Sequence, residues 1–224
     1  MAFEKIAVKT IRQEVYEQLR DKIISAEILP GESISLRDLA GKFGVSLMPV
    51  REALWQLESE KIIVIESNKR IHVNSLTAKE MEEALRLRVM LETLAAERSC
   101  DLMPVKEIPK LKILIESMEA STDRPKIYMR KNTQFHFTVY SFADSPLLLE
   151  MIERLWARVG PYVYKHAVGT RDLSYPMKCH WEIFEGLAER NKNRVAEALQ
   201  RDLESTASII IPALEKSKSG ESLS

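Results

Sequence analysis

The stretch "GVSLMPVREALWQLE", residues 44–58, decides the fold. Val50, Ala53, Leu54 and Leu57 recur at three and four, the apolar stripe of a helix packed along one side. Ser46 stands where an N-cap is expected. Pro49 falls in the first turn, where a missing amide hydrogen costs little. The stripe does not account for Leu47 and Met48. These large apolar side chains sit at the amino end, off the packed side, so that end is expected to point outward and to have work there.

Working upstream, a helix is predicted over about 10–26, with Val15, Leu19, Ile23 and Ile24 on one face. Pro30-Gly31 breaks the chain. A short helix follows, with Ser35 as N-cap and Asp38 three residues later, ending near Phe43-Gly44. Downstream, "IIVIESNKRIHV", residues 62–73, places two β-branched runs around a polar centre, the pattern of a hairpin. Helix, short helix, tight turn, helix, hairpin is the layout of a winged helix-turn-helix.

Beyond Asn74-Ser75 the pattern changes. Thr77 to Glu80 fits a capping box that opens a helix to about Cys100. Five more helices are expected near 104–121, 125–142, 146–167, 175–190 and 191–215, with Pro104, Pro125 and Pro146 at starts. The expected fold is mainly α: a winged helix-turn-helix over 1–75, an all-helical bundle over 76–216, and a small polar disordered tail over 217–224.

Bulk properties add limits. Two cysteines, Cys100 and Cys179, lie outside any Cys-x-x-Cys pattern, which fits a reduced, cytoplasmic protein. No apolar run approaches the roughly 18 residues of a membrane span. Formal net charge is zero, and residues 1–75 hold eleven basic and eleven acidic side chains. Such a head binds DNA only if its charges are segregated.

A winged head offers the amino end of its third helix to a major groove. Ser46, Leu47 and Met48 would then face base edges or thymine methyls. Arg51, one turn on, would reach phosphate or guanine; Arg37 would meet the backbone, and Lys69 and Arg70 the minor groove. Helix-turn-helix geometry also serves protein–protein modules, so spacing alone leaves a module without DNA binding open.

In the second part, Asn132 and His136 are four apart and share a helix face, while His180 and Asp202 sit on later helices. Such a set can hold a divalent metal when it converges inside a bundle. A lone histidine between Phe135 and Phe137 is otherwise a hydrogen-bonded core residue. Arg88, Arg154 and Arg158 are candidates for gripping an anionic ligand through bidentate carboxylate contacts.

The segment "LPGESISLRDLAGKFGVSLMPVREALWQLESEKIIV" resembles the DNA-binding domain of the GntR family of bacterial transcription regulators. Pro30-Gly31-Glu32, Leu39-Ala40, Val45-Ser46 and Pro49 to Leu54 carry the match. Three positions depart from it. The family usually has arginine at the position of Leu47 and glycine at those of Lys61 and Arg70. The resemblance therefore implies an operator unlike the family's common one and a wing turn of altered shape.

Residues 78–215 resemble, more loosely, the FCD effector domain of the FadR-like branch, through Arg88, Glu92, Ala95, Asn132, Phe135, His136 and the His180 to Asp202 interval. Many such domains hold a metal by an aspartate and three histidines, and an organic acid completes the coordination. By that resemblance Asn132 takes the aspartate's place, His136 and His180 match histidines, and Asp202 takes the last histidine's place. It implies a divalent ion (Zn, Ni or Mn), a small carboxylate effector, a homodimer, and a repressor of a double-stranded operator rather than an enzyme. The competing expectation is a helical-bundle metalloenzyme with a DNA-binding-like appendage.

Overall fold

The computed structural model describes residues 10–169 and 172–218. The chain divides into two compact units, Met1–Ser75 and Leu76–Ser224. Among the described residues no helix is long and apolar enough to cross a membrane.

The first unit opens with α1 (Ile11–Ile24), whose N-cap Thr10 accepts from the Gln13 amide. Ser35 accepts from Asp38 to start α2 (Leu36–Phe43), and Gly44 ends it at φ 65°, the left-handed turn that glycine adopts without strain. Next comes α3 (Leu47–Ser59), which buries Val50, Ala53, Leu54 and Leu57 against Val15, Tyr16, Leu19 and Ile23 of α1 and Leu39 and Ala40 of α2. Ser46 occupies the N-cap position, but its side chain makes no capping bond, so the expected cap is only positional.

The expected hairpin is present as β2 (Ile63–Ile65) and β3 (Ile71–Val73), antiparallel with Val64 opposite His72. A third strand, β1 (Ser33–Ile34), pairs with the other edge of β3, giving the order β1-β3-β2. The sequence pattern does not announce this strand. Lys61 enters the wing at φ 61°, and at its tip Lys69 has φ 65°. The left-handed residue of the tip is thus Lys69, one before Arg70, in a turn closed by Lys69 N–H to Glu66 O and held by Asn68 Oδ1 on the Arg70 amide.

Tyr16 ties α1 to the end of α3. Its hydroxyl donates to both oxygens of Glu60, the C-cap residue of α3, at 2.8 and 2.7 Å. Burial, then the carboxylate, keep this phenol protonated far above its usual range. Tyr16→Phe is expected to lower the head's stability by about 1.5–3 kcal/mol, the range for a hydrogen bond to a charged group. Urea unfolding followed in the head checks this; an unmoved midpoint would show the bond to be idle.

The second unit contains α4 (Ala78–Leu102), α5 (Ile108–Glu119), α6 (Pro125–Ser141), α7 (Pro146–Gly169), α8 (Ser174–Ala188) and α9 (Lys192–Lys218). The Thr77–Glu80 capping box is formed. A single 3-10 turn, Val105–Glu107, precedes α5. Helix α4 packs chiefly against α9, and α9 against α8. The contact between α8 and α9 is close: a Cβ on Gly186 would lie 2.7 Å from Val195. Residues 217 and 218 of the expected tail belong to α9; the rest of it lies outside the described residues.

Candidate functional site

In the first unit the amino end of α3 is bare. Ser46, Leu47, Met48 and Arg51 are exposed, Leu47 by 42% and Met48 by 56%. Arg37 on α2 and Lys69 and Arg70 at the wing tip lie at the surface as well. So does Lys42 in the last turn of α2, which sequence reasoning passed over although a basic residue closing a helix is a readable signal. Among the described residues, none of these five cations has an ion-pair partner.

Several acidic side chains of the unit are engaged elsewhere. Glu60 receives Tyr16, Glu27 pairs with Lys22 at 2.8 Å, Glu32 accepts from the Leu29 amide, and Glu66 lies 3.7 Å from His72. A neutral head is thereby segregated by employment. These acids are spent on internal bonds, while cations on α2, α3 and the wing stay free for an anion.

In the second unit, α6, α8 and α9 bring His136, His180 and Asp202 together, all buried. The two Nε2 atoms are 3.1 Å apart, and Asp202 Oδ2 lies 3.5 Å from His136 Nε2 and 3.6 Å from His180 Nε2. Donor atoms placed tetrahedrally around one zinc ion stand about 3.3–3.6 Å apart, so the triangle has the size a common ion requires. Asn132, one turn before His136, is also buried and lines the same cavity of about 150 Å³.

The support behind His136 fixes its tautomer. Tyr140 donates its proton to Glu92 Oε2 at 2.6 Å, so its oxygen accepts from His136 Nδ1–H at 3.1 Å. His136 Nε2 then carries a lone pair aimed at the cluster, as a metal ligand needs. Glu92 is held in turn by Arg88, whose Nε donates to Oε1 at 2.6 Å and whose guanidinium lies 4.5 Å above the Trp156 ring. His180 has no such support: its Nδ1 is buried with no hydrogen-bond partner among the described residues.

Electrostatics favour the ligand forms. Burial, then the neighbouring His180, push His136 down to about 3 against the opposing pull of Asp202. Burial alone would raise Asp202, but His180 and His136 outweigh it and hold the carboxyl below its ordinary value. Neutral imidazole beside ionised carboxylate is the donor chemistry of a divalent site.

The arginines expected to grip an anion do not do so. Arg88 lines the cavity, but Glu92 already neutralises it. Arg154 is exposed, pairs with Glu150 at 2.7 Å and lies outside the cavity. Arg158 is half-buried and also outside it, with its Nε unpaired. Sequence reasoning also missed Tyr140, Trp156 and His166. Tyr140 continues the face of Asn132 and His136 at the next step of four, a readable signal. Trp156 and His166, both on α7, enter the cavity wall through tertiary packing.

Comparisons with known proteins place these features. Residues 11–73 match the profile of the bacterial regulatory proteins of the gntR family, and residues 83–205 that of the FCD domain. The chain is 30% identical over 188 residues to the HTH-type transcriptional regulator YdhC of Bacillus subtilis, covering 80% of this chain and 81% of that one. It is 24% identical over 196 residues to the HTH-type transcriptional repressor RspR of Escherichia coli, covering 87% and 86%. The solved structure of E. coli McbR/YncC superposes with a TM-score of 0.86 at 21% identity, over 92% of this chain and 99% of that one, and so shares its fold. These relatives are regulators, and the metalloenzyme reading of the cluster finds no support among them. The chain belongs to the gntR family of bacterial regulatory proteins, and its helical half is an FCD domain.

Proposed function

We propose that this transcription regulator acts as a homodimeric repressor, whose operator affinity is set by a small carboxylate held on a divalent metal in the helical unit. The observation that carries the DNA half is the exposed amino end of α3, ringed by unpaired cations from α2, α3 and the wing. A symmetric pair of such heads would read two half-sites and multiply a modest single-head affinity.

The effector half rests on the cavity. Asn132, His136, His180 and Asp202 are the residues that would hold the ion, and the ion would supply positive charge and open positions for a carboxylate. Because Glu92 neutralises Arg88, the ion is the charge that an anionic effector would meet. Coupling of about 1–3 kcal/mol between the sites would change operator affinity roughly 5- to 150-fold.

The test is fluorescence anisotropy on an operator fragment selected from genomic DNA, with and without metal and a panel of small carboxylates. Arg51→Ala is expected to weaken binding about 5- to 150-fold, the span of one bidentate guanine contact. Unchanged affinity would remove Arg51 from the interface. An effector response that survives removal of the metal would contradict the role given to the ion.

A further inference from the structure

We infer that Leu47 and Met48 read thymine methyl groups, so that each operator half-site carries thymine where the first turn of α3 meets the major groove. The inference rests on the proposed DNA-binding mode and deepens it.

Two adjacent large apolar side chains project from the amino end of α3, 42% and 56% exposed, while the rear of the helix is fully packed by Val50, Ala53, Leu54 and Leu57. A scattered exposed leucine needs no explanation. A consecutive pair at the reading end of a DNA-binding helix does. The first turn of α3 contains no acidic side chain, and its nearest cation along the helix is Arg51, on the following turn. Leucine offers no hydrogen-bonding group and methionine only a weak acceptor, so neither can satisfy the guanine O6/N7 pair or the adenine N6/N7 pair. The apolar feature a major groove offers them is the thymine C5-methyl. Polar base edges covered by these side chains would lose their water without gaining a partner, which biases selection away from G·C at those steps. Ser46 completes the surface: its hydroxyl makes no capping bond and stays available for a phosphate or base edge.

The bias differs from that of an arginine at the same place, which would seek guanine. Specificity would come from shape and methyl contact, and affinity from the surrounding Arg37, Lys42, Arg51, Lys69 and Arg70.

The experiment uses the full chain and the duplex it selects from genomic DNA. Each thymine is replaced singly by deoxyuridine, which deletes the methyl and keeps the base pair. One or two positions per half-site are expected to lose about 4-fold in affinity, the factor given by roughly 0.8 kcal/mol per buried methyl. Matching substitution in both half-sites should lose about 15-fold. Leu47→Ala or Met48→Ala should erase the deoxyuridine penalty at its own position, because the two deletions remove one contact. Leu47→Arg should move the preferred base at its step from thymine to guanine. Wild-type protein that selects a duplex but binds every deoxyuridine version equally well overturns this inference and leaves the DNA-binding reading standing. Protein that selects no duplex overturns both.

Discussion

Replacing Glu92 by alanine is expected to destabilise the helical unit by about 3–5 kcal/mol, the cost of leaving a buried charge without its partner. Glu92 is fully buried and receives both Arg88 and Tyr140. Its loss strands a guanidinium that is only 3% exposed and orphans a phenol whose pKa, raised by burial and by Glu92 itself, keeps it protonated. The double replacement Arg88→Met with Glu92→Leu should recover most of the loss, since apolar residues of similar volume avoid the desolvation cost. Urea unfolding of the helical unit separates these outcomes. A single variant as stable as wild type would show that the buried pair does not hold the unit together.

The second large effect concerns the cluster. His136→Ala combined with His180→Ala is expected to abolish bound metal, falling from about one divalent ion per chain to none, together with any carboxylate response of operator binding. Elemental analysis of purified protein reads the first and anisotropy the second. Persistence of both would place the effector site elsewhere. Acid should act through the same residues. The folded value of His136 is about 3, below the ordinary 6.5, so between these values the unfolded chain binds a proton that the fold refuses. Stability is therefore fully present above about pH 6.5 and is lost as pH falls toward 3. Asp202, also held low, adds stability that is present above its unfolded value and lost as pH falls through its folded one. Wild-type stability should decline from pH 7 to pH 4, and the double alanine variant should lose the part of that slope due to His136.

Much of this arrangement is legible in the amino-acid sequence, because local signals specify it. Thr10, Ser35 and Thr77 each accept a backbone hydrogen bond at a helix start, and Gly44 supplies the left-handed residue between α2 and α3. Strand β1 is not legible: two residues carry no periodicity, and their pairing with β3 spans almost forty positions. The four proposed ligands come from three helices, and only Asn132 and His136 announce a shared face by spacing. That His180 and Asp202 join them is decided by packing. The arginines show the same limit. Arg88 and Glu92 are four apart, yet their burial, which turns a candidate anion grip into an internal pair, appears only when α4, α6 and α7 are assembled.

The claim on which the rest depends is that the amino end of α3 lies in a major groove. Met48→Cys tests it most directly. The native Cys100 and Cys179 are buried with thiol pKa values raised by burial, so a cysteine at the exposed position 48 can be labelled selectively. Labelled there with a DNA-cleaving chelate and bound to its selected duplex, the protein should cut at two symmetric positions, one in the major groove of each half-site. Binding without cleavage at those positions, or cutting confined to the flanks or the minor groove, would contradict the account.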